Sequence, residues 1–215
     1  MKITLCDTDA INDALYLQYE KIISEETRQR ANRFRRESDR RATIIGEALT
    51  RLMLAEELNE PPESIPVFRT ENGKPYINKD IYFNISHTSG TVAVAVSEYE
   101  TGIDIEKLRT PPLSAINSFC TEREKDYILS PKTPEETQKR FFTLWTLKES
   151  YLKCTGEGLS GGLRSIEFSV KDDAVICSDP GFSFLTKETE GGIILSAAVK
   201  CDDPIDIQIF IANYP

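Results

Sequence analysis

Histidine is almost missing from this chain: of 215 residues only His87 is one, and there is a single tryptophan, Trp145. Five cysteines (Cys6, Cys120, Cys154, Cys177 and Cys201) are odd in number, widely separated and without a Cys-x-x-Cys pair. One imidazole and no paired thiols leave a zinc site without a ligand set. Such scattered thiols are expected to be reduced, as in a cytoplasmic protein. Long apolar runs are also lacking, none approaching the ~18 residues of a membrane span, and Met1–Ala10 has no signal-peptide core. No membrane association is therefore expected. Positive charge is in deficit, with 26 Lys and Arg against 35 Asp and Glu, a net −9 and a pI near 4.9. That balance argues against a nucleic-acid binder, which needs the opposite sign. An anionic ligand would have to be held by a local basic pocket, not by the overall field.

What is present is a 40% apolar chain with charge spread evenly along it, enough for one large domain or two small ones. A strand is expected at 2–6. Helix in pieces follows from about 11 to 58, with Ser24 as an N-cap ahead of Glu25 and Glu26. The last piece carries Ile44, Ile45, Ala48, Leu49, Leu52 and Ala55 at helical spacing, and Pro61-Pro62 is expected to stop it. A turn at Thr70–Pro75 contains Asn72-Gly73. Strands are expected at 81–85, 91–97 and 102–106, before Thr110-Pro111-Pro112 interrupts the pattern. Beyond it come helices at 113–119, 122–129 and 137–154, the last ended by Gly156, Gly158, Gly161 and Gly162. Five strands complete the chain, at 165–170, 174–177, 182–186, 193–199 and 207–211. Each half runs from helices into antiparallel strands, so the expected fold is α+β. The expected domains are 1–109 and 110–215.

Three groups of residues could carry chemistry. Asp104 and Glu106, two apart in a strand, share a face roughly 6.6 Å apart along the chain, with Ile103 and Ile105 turned the other way into the core. Two such carboxylates can converge on one Mg²⁺, though an ordinary acidic strand face has the same pattern. Glu149 and Lys153 lie one helical turn apart in Trp145–Lys153, and read either as a solvated ion pair or as a third carboxylate and a phosphate contact; the nine-residue motif is more specific than either charge pair. His87 stands in Asn84-Ile85-Ser86-His87-Thr88-Ser89-Gly90. Adjacent Ser86 and His87 diverge in an extended segment and no Gly-x-Ser-x-Gly elbow exists, so a Ser/His hydrolase is excluded. Hydroxyls, a histidine and a glycine at a strand end suit an anion contact, with Lys74 and the arginines at 28, 30 and 33 adding positive charge.

Taken in order, Gly73-Lys74-Pro75, Phe83-Asn84-Ile85-Ser86-His87, Gly102-Ile103-Asp104-Ile105-Glu106 and Trp145-Thr146-Leu147-Lys148-Glu149-Ser150-Tyr151-Leu152-Lys153 resemble the signature of the Sfp-type 4'-phosphopantetheinyl transferases. The resemblance runs from the first strand to Gly162. It implies Asp104, Glu106 and Glu149 as magnesium ligands, and Lys153 as the contact to the pyrophosphate of coenzyme A. It implies Arg30, Thr43, Lys74, Ser86 and His87 as the residues that hold the adenosine 3'-phosphate and neighbouring groups. One departure is visible: where many relatives carry a lysine one turn before Arg30, this chain has Thr27, beside Arg28. The implied reaction moves phosphopantetheine from coenzyme A to a serine of an acyl- or peptidyl-carrier protein, releasing 3',5'-ADP, with Glu149, directly or through a metal-bound water, as the candidate general base. The expected architecture is a monomeric pseudo-dimer of two similar halves with the active site in the cleft between them. Lys107, Arg109, Arg123 and Lys125 are a candidate docking face for an acidic carrier. The rival readings are a coenzyme A-binding protein without transfer activity and a magnesium-dependent hydrolase of pyrophosphate substrates.

Overall fold

The structure, a computed structural model, describes residues 1–158, 162–171, 174–202 and 206–212. Alternating apolar residues make β1 (Lys2–Asp7) a central strand, pairing antiparallel with β5 (Thr91–Ser97) and parallel with β11 (Gln208–Ile211). β4 (Tyr82–Thr88) pairs antiparallel with β5, giving the order β11-β1-β5-β4. Three helices precede β4: α1 (Asp13–Ile22), α2 (Glu25–Ala31) and α3 (Glu37–Leu58). Ser24 caps α2 by accepting from Thr27 N, as its position before two glutamates predicts. On α3, Ile44, Ile45, Ala48 and Leu49 are buried, and Leu52 and Ala55 pack at the edge of the same core, which includes Val92, Val94 and Val96 of β5. The helix ends at Asn59, whose φ of 53° turns the chain out of the helix two residues before the prolines expected to stop it. Between α3 and β4, β2 (Phe68–Arg69) and β3 (Pro75–Tyr76) form a short hairpin around Gly73, whose φ is +81°. A side chain at Gly73 would be strained there.

These elements form one compact unit, Met1–Glu98 with Asp206–Pro215; the other is Tyr99–Ile205. The division falls between Glu98 and Tyr99, not after residue 109, and the final strand returns to the first unit. The reason lies in the pairing. The next strand, β6 (Thr101–Lys107), has its sheet partner in β10 (Ile193–Val199), whereas β11 finds its partner in β1.

In the second unit β6, β10 and β9 (Ser183–Thr189) form an antiparallel sheet, and β7 (Phe168–Lys171) pairs with β8 (Ala174–Cys177). Helices α4 (Ile116–Phe119), α5 (Glu122–Leu129) and α6 (Pro134–Thr155) surround an aromatic core. Phe119 meets Phe141 and Trp145 edge-on, at 5.3 and 5.2 Å between ring centres. Helix α6 starts one turn earlier than its periodicity predicts, because Thr133 caps it and Pro134 occupies its first turn. Of the four glycines expected to end it, Gly156 does so, in the left-handed region at φ 75°; Gly161 lies outside the described residues. Each unit thus places a 22-residue helix, α3 or α6, against antiparallel strands. The α+β expectation holds, with β1/β11 as a parallel exception. Among the described residues no helix is long and apolar enough to cross a membrane.

The contact between α6 and β6 has no slack at Gly102. A Cβ there would lie 2.0 Å from Ser150 O and 2.4 Å from Cys154 N, both backbone atoms of α6. No rotamer change can relieve a clash with backbone. Gly102→Ala is therefore expected to destabilise the protein at the upper end of the about 1–3 kcal/mol seen for overpacking, or beyond it. A urea melt showing an unchanged midpoint would contradict this reading of the β6–α6 contact.

Candidate functional site

In the second unit the candidate residues come together because Gly102 lets β6 approach α6 so closely. Asp104 pairs in register with Ser196 and Glu106 with Ile194. Ser196 Oγ lies 2.7 Å from Thr146 Oγ1 on α6, so this is the face that looks at the helix. Asp104 and Glu106 share it, as their spacing predicts. The strand pattern puts that face opposite Ile103 and Ile105 and leaves open whether it is a metal site or an ordinary acidic strand face. In the structure both faces are covered: Ile103, Asp104 and Ile105 are all buried. The side that carries Asp104 is covered by α6.

Helix α6 brings Glu149 and Lys153 to this strand. Lys153 Nζ donates to Asp104 Oδ1 at 2.6 Å and to Ile103 O at 3.1 Å. Glu106 Oε2 accepts from Arg109 at 2.7 Å. Oε1 of Glu149 is buried and has no hydrogen-bond partner. Burial is the main cause that pushes the Glu149 carboxyl above its usual range; Asp104 and Glu106 add to the rise and Lys153 opposes it. A carboxylate oxygen left bare beside two further carboxylates is an unfavourable arrangement by itself, and one that a cation would satisfy. With Asp104 drawn to Lys153 and Glu106 to Arg109, no group of three His, Cys, Asp or Glu among the described residues is arranged to hold a metal as it stands. The donor set nevertheless fits a hard divalent cation, since all its ligands are carboxylate oxygens.

Lys148, a neighbour of Glu149, has a different task that the sequence did not reveal. It is fully buried, as is its partner Glu124, at 2.9 Å. It also donates to the carbonyls of Leu163 and Ile166 at 2.8 and 2.5 Å. Glu124 in turn accepts from Phe168 N and closes the capping box of α5 with Thr121.

In the first unit, Arg30, Thr43 and His87 line one cavity of about 290 Å³, together with Arg69, Asn84 and Pro75. Thr43 is also tied to its own helix through Asp39 O at 2.8 Å. Arg30 is held below its usual value first by burial and then by the neighbouring Arg69 guanidinium. Ser86 does not line this cavity. It is buried, whereas His87, next in the strand, is exposed, so the two point to opposite faces of β4. Lys74 follows Gly73 in the β2–β3 turn, beside Pro75 of the cavity wall. Arg69 lies in none of the sequence motifs; its pairing opposite Pro75 across the hairpin brings it to this cavity. The four basic residues of the expected docking face each have a local partner: Lys107 with Gly191 O, Arg109 with Glu106, Arg123 with Glu167 and Lys125 with Glu122.

Comparison with known proteins agrees with the motif order. The 4'-phosphopantetheinyl transferase superfamily matches residues 100–195, and the family described as 4'-phosphopantetheinyl transferase, N-terminal, matches residues 12–99. The 4'-phosphopantetheinyl transferase ffp of Bacillus subtilis is 33% identical over 196 residues, 87% of this chain and 87% of that relative. The chain belongs to the Sfp-type 4'-phosphopantetheinyl transferase family. The 4'-phosphopantetheinyl transferase gsp of Aneurinibacillus migulanus is 37% identical over 137 residues, which cover 64% of this chain and 57% of the relative. The match thus spans somewhat over half of that relative's length. The boundary between the two matched families, at residues 99 and 100, falls within one residue of the division between the two compact units at Glu98 and Tyr99.

Proposed function

We propose that this chain transfers the 4'-phosphopantetheine group of coenzyme A to a serine hydroxyl of an acyl- or peptidyl-carrier protein, releasing 3',5'-ADP. The observation that carries the proposal is the bare Oε1 of Glu149, buried on the helix face that meets Asp104 and Glu106. Magnesium held by Asp104, Glu106 and Glu149 would supply charge neutralisation at the pyrophosphate. Lys153, already at the edge of this carboxylate group, binds a pyrophosphate oxygen and offsets the charge that develops on the leaving phosphate. The serine oxygen forms a bond to the β-phosphorus as the bond from that phosphorus to the departing 3',5'-ADP oxygen breaks. Glu149 takes the serine proton; its carboxylate, raised in basicity by burial, is suited to that role. Chemistry of this kind depends chiefly on positioning and charge.

Arg30, Thr43 and His87 hold the 3'-phosphate end of coenzyme A, with Lys74 reaching it from the hairpin turn. The proposed active species is a 24.3 kDa monomer that binds one coenzyme A per chain.

The test is incubation of an apo carrier protein with the chain, coenzyme A and Mg²⁺, read by mass spectrometry of the carrier. Transfer adds one phosphopantetheine to the carrier. An unmodified carrier with coenzyme A cleaved would favour a hydrolase, and an unmodified carrier with intact, bound coenzyme A a binding protein.

A further inference from the structure

We propose that Arg109 is a built-in counter-cation of the carboxylate site: it holds Glu106, lowers the affinity of the chain alone for a divalent metal, and raises the affinity of the metal-loaded site for an anionic co-substrate. The inference rests on the metal reading of Asp104, Glu106 and Glu149 above and concerns a residue to which that reading gives no part. Arg109 stands two residues beyond the end of β6 and three beyond Glu106. One terminal nitrogen of its guanidinium donates to Glu106 Oε2 at 2.7 Å and to Lys107 O at 3.0 Å. The guanidinium carbon lies 4.7 Å from the centre of the Phe142 ring. Phe142 is itself buried in the core of the second unit, two helical turns before Glu149 and so on the same face of α6. A carboxylate, a carbonyl and an aromatic face thus hold Arg109 together. Its charge is permanent, because an arginine does not lose its proton in a protein.

Lys153 occupies Asp104 in a similar way, at 2.6 Å, but its long stem is flexible and it has a second task on the pyrophosphate. Arg109 is tethered where it is. A divalent ion that enters among Asp104, Glu106 and Glu149 therefore meets a like charge beside one of its ligands, and that repulsion opposes binding. With the ion in place, the same guanidinium adds to the positive field that draws an anion to the site. The arrangement of the carboxylates agrees: Asp104 and Glu106 are each turned to a cation, and among the described residues no group of three ligands stands ready for a metal. The size of the effect follows from exposure. The Arg109 side chain is 52% exposed, so water screens it to the scale of a surface ion pair, enlarged by the double charge of the metal.

The experiment is calorimetric titration of the full chain, first with MgCl₂ alone at constant ionic strength, then with coenzyme A at saturating Mg²⁺ and no carrier protein. Arg109→Gln is expected to bind Mg²⁺ roughly three- to tenfold more tightly than the wild type, and coenzyme A more weakly by a similar factor. Arg109→Lys keeps the charge and should stay near the wild type in both titrations. Added salt should narrow both differences. Weaker binding of both ligands by Arg109→Gln would make Arg109 a residue that only orients Glu106. An unchanged Mg²⁺ affinity would show that its charge is not felt at the site. Either result overturns the inference while the metal reading stands. Glu149→Gln tests that reading separately. Wild-type Mg²⁺ binding that persists in Glu149→Gln, or a wild type that binds no Mg²⁺ with or without coenzyme A, would overturn the metal reading and this inference with it.

Discussion

Glu149→Gln is expected to leave a folded protein whose transfer rate falls at least about a hundredfold, the scale of losing one electrostatic group that acts on the reacting atoms. Its effect on stability should run the other way. Burial, with Asp104 and Glu106 nearby, raises the Glu149 carboxyl in the folded chain. A carboxyl with a raised folded value contributes stability that is fully present below its unfolded value, about 4.3, and lost as pH climbs through the folded value. Glutamine stays neutral and avoids that loss. Without metal, the variant should therefore melt at about the wild-type temperature near pH 4 and at a higher temperature near pH 8. Adding Mg²⁺ should raise the melting temperature of the wild type and leave that of the variant nearly unchanged. Asp104→Ala should lose transfer as well. A Glu149→Gln protein that turns over normally, or one that still gains stability from Mg²⁺, would remove Glu149 from the site.

How much of this could be read from the sequence depends on whether a residue's neighbours are near it in the chain. Ser24 as a cap, the apolar face of Ile44 to Leu49 and the shared face of Asp104 and Glu106 all follow from local period, and the structure shows them. The extra first turn of α6 was also local, but Pro134 reads as a loop residue until Thr133 is recognised as a cap. What stayed hidden depends on distant partners. Strand periodicity says that Asp104 and Ile103 face opposite ways; it cannot say that α6 covers the carboxylate side. Nor does it say that β11 returns to β1 across two hundred residues of chain, or that Arg69 shares a cavity with Arg30. The divergence of His87 and Ser86 was legible within a single motif. Adjacent residues of an extended segment point to opposite sides, and in the structure Ser86 is buried while His87 is exposed.

The Lys148–Glu124 pair is the case where local reading and structure differ most, and it carries the largest stability prediction. In sequence, Lys148 is one charged letter of the Trp145–Lys153 motif, and nothing local to it points to a partner. In the structure it is 0% exposed, and its three N–H donors go to Glu124 and two backbone carbonyls. Glu124 is equally enclosed and spends its oxygens on Lys148, Phe168 N and the start of α5. The pair therefore ties α5, α6 and the entry to β7 through groups that water cannot reach. Removing one member strands the other charge, which is expected to destabilise the protein by about 3–5 kcal/mol. Lys148→Met and Glu124→Gln are both expected to lower the urea midpoint sharply. The double variant Lys148→Met/Glu124→Leu removes both charges at once and should recover much of the loss, because replacing a whole buried pair by apolar groups is often neutral or better. Some loss should persist, since the Leu163 and Ile166 carbonyls and Phe168 N would remain without partners. Single variants that melt like the wild type would show that these charges reach solvent. A double variant as unstable as the sum of the singles would show that they do not act as a pair.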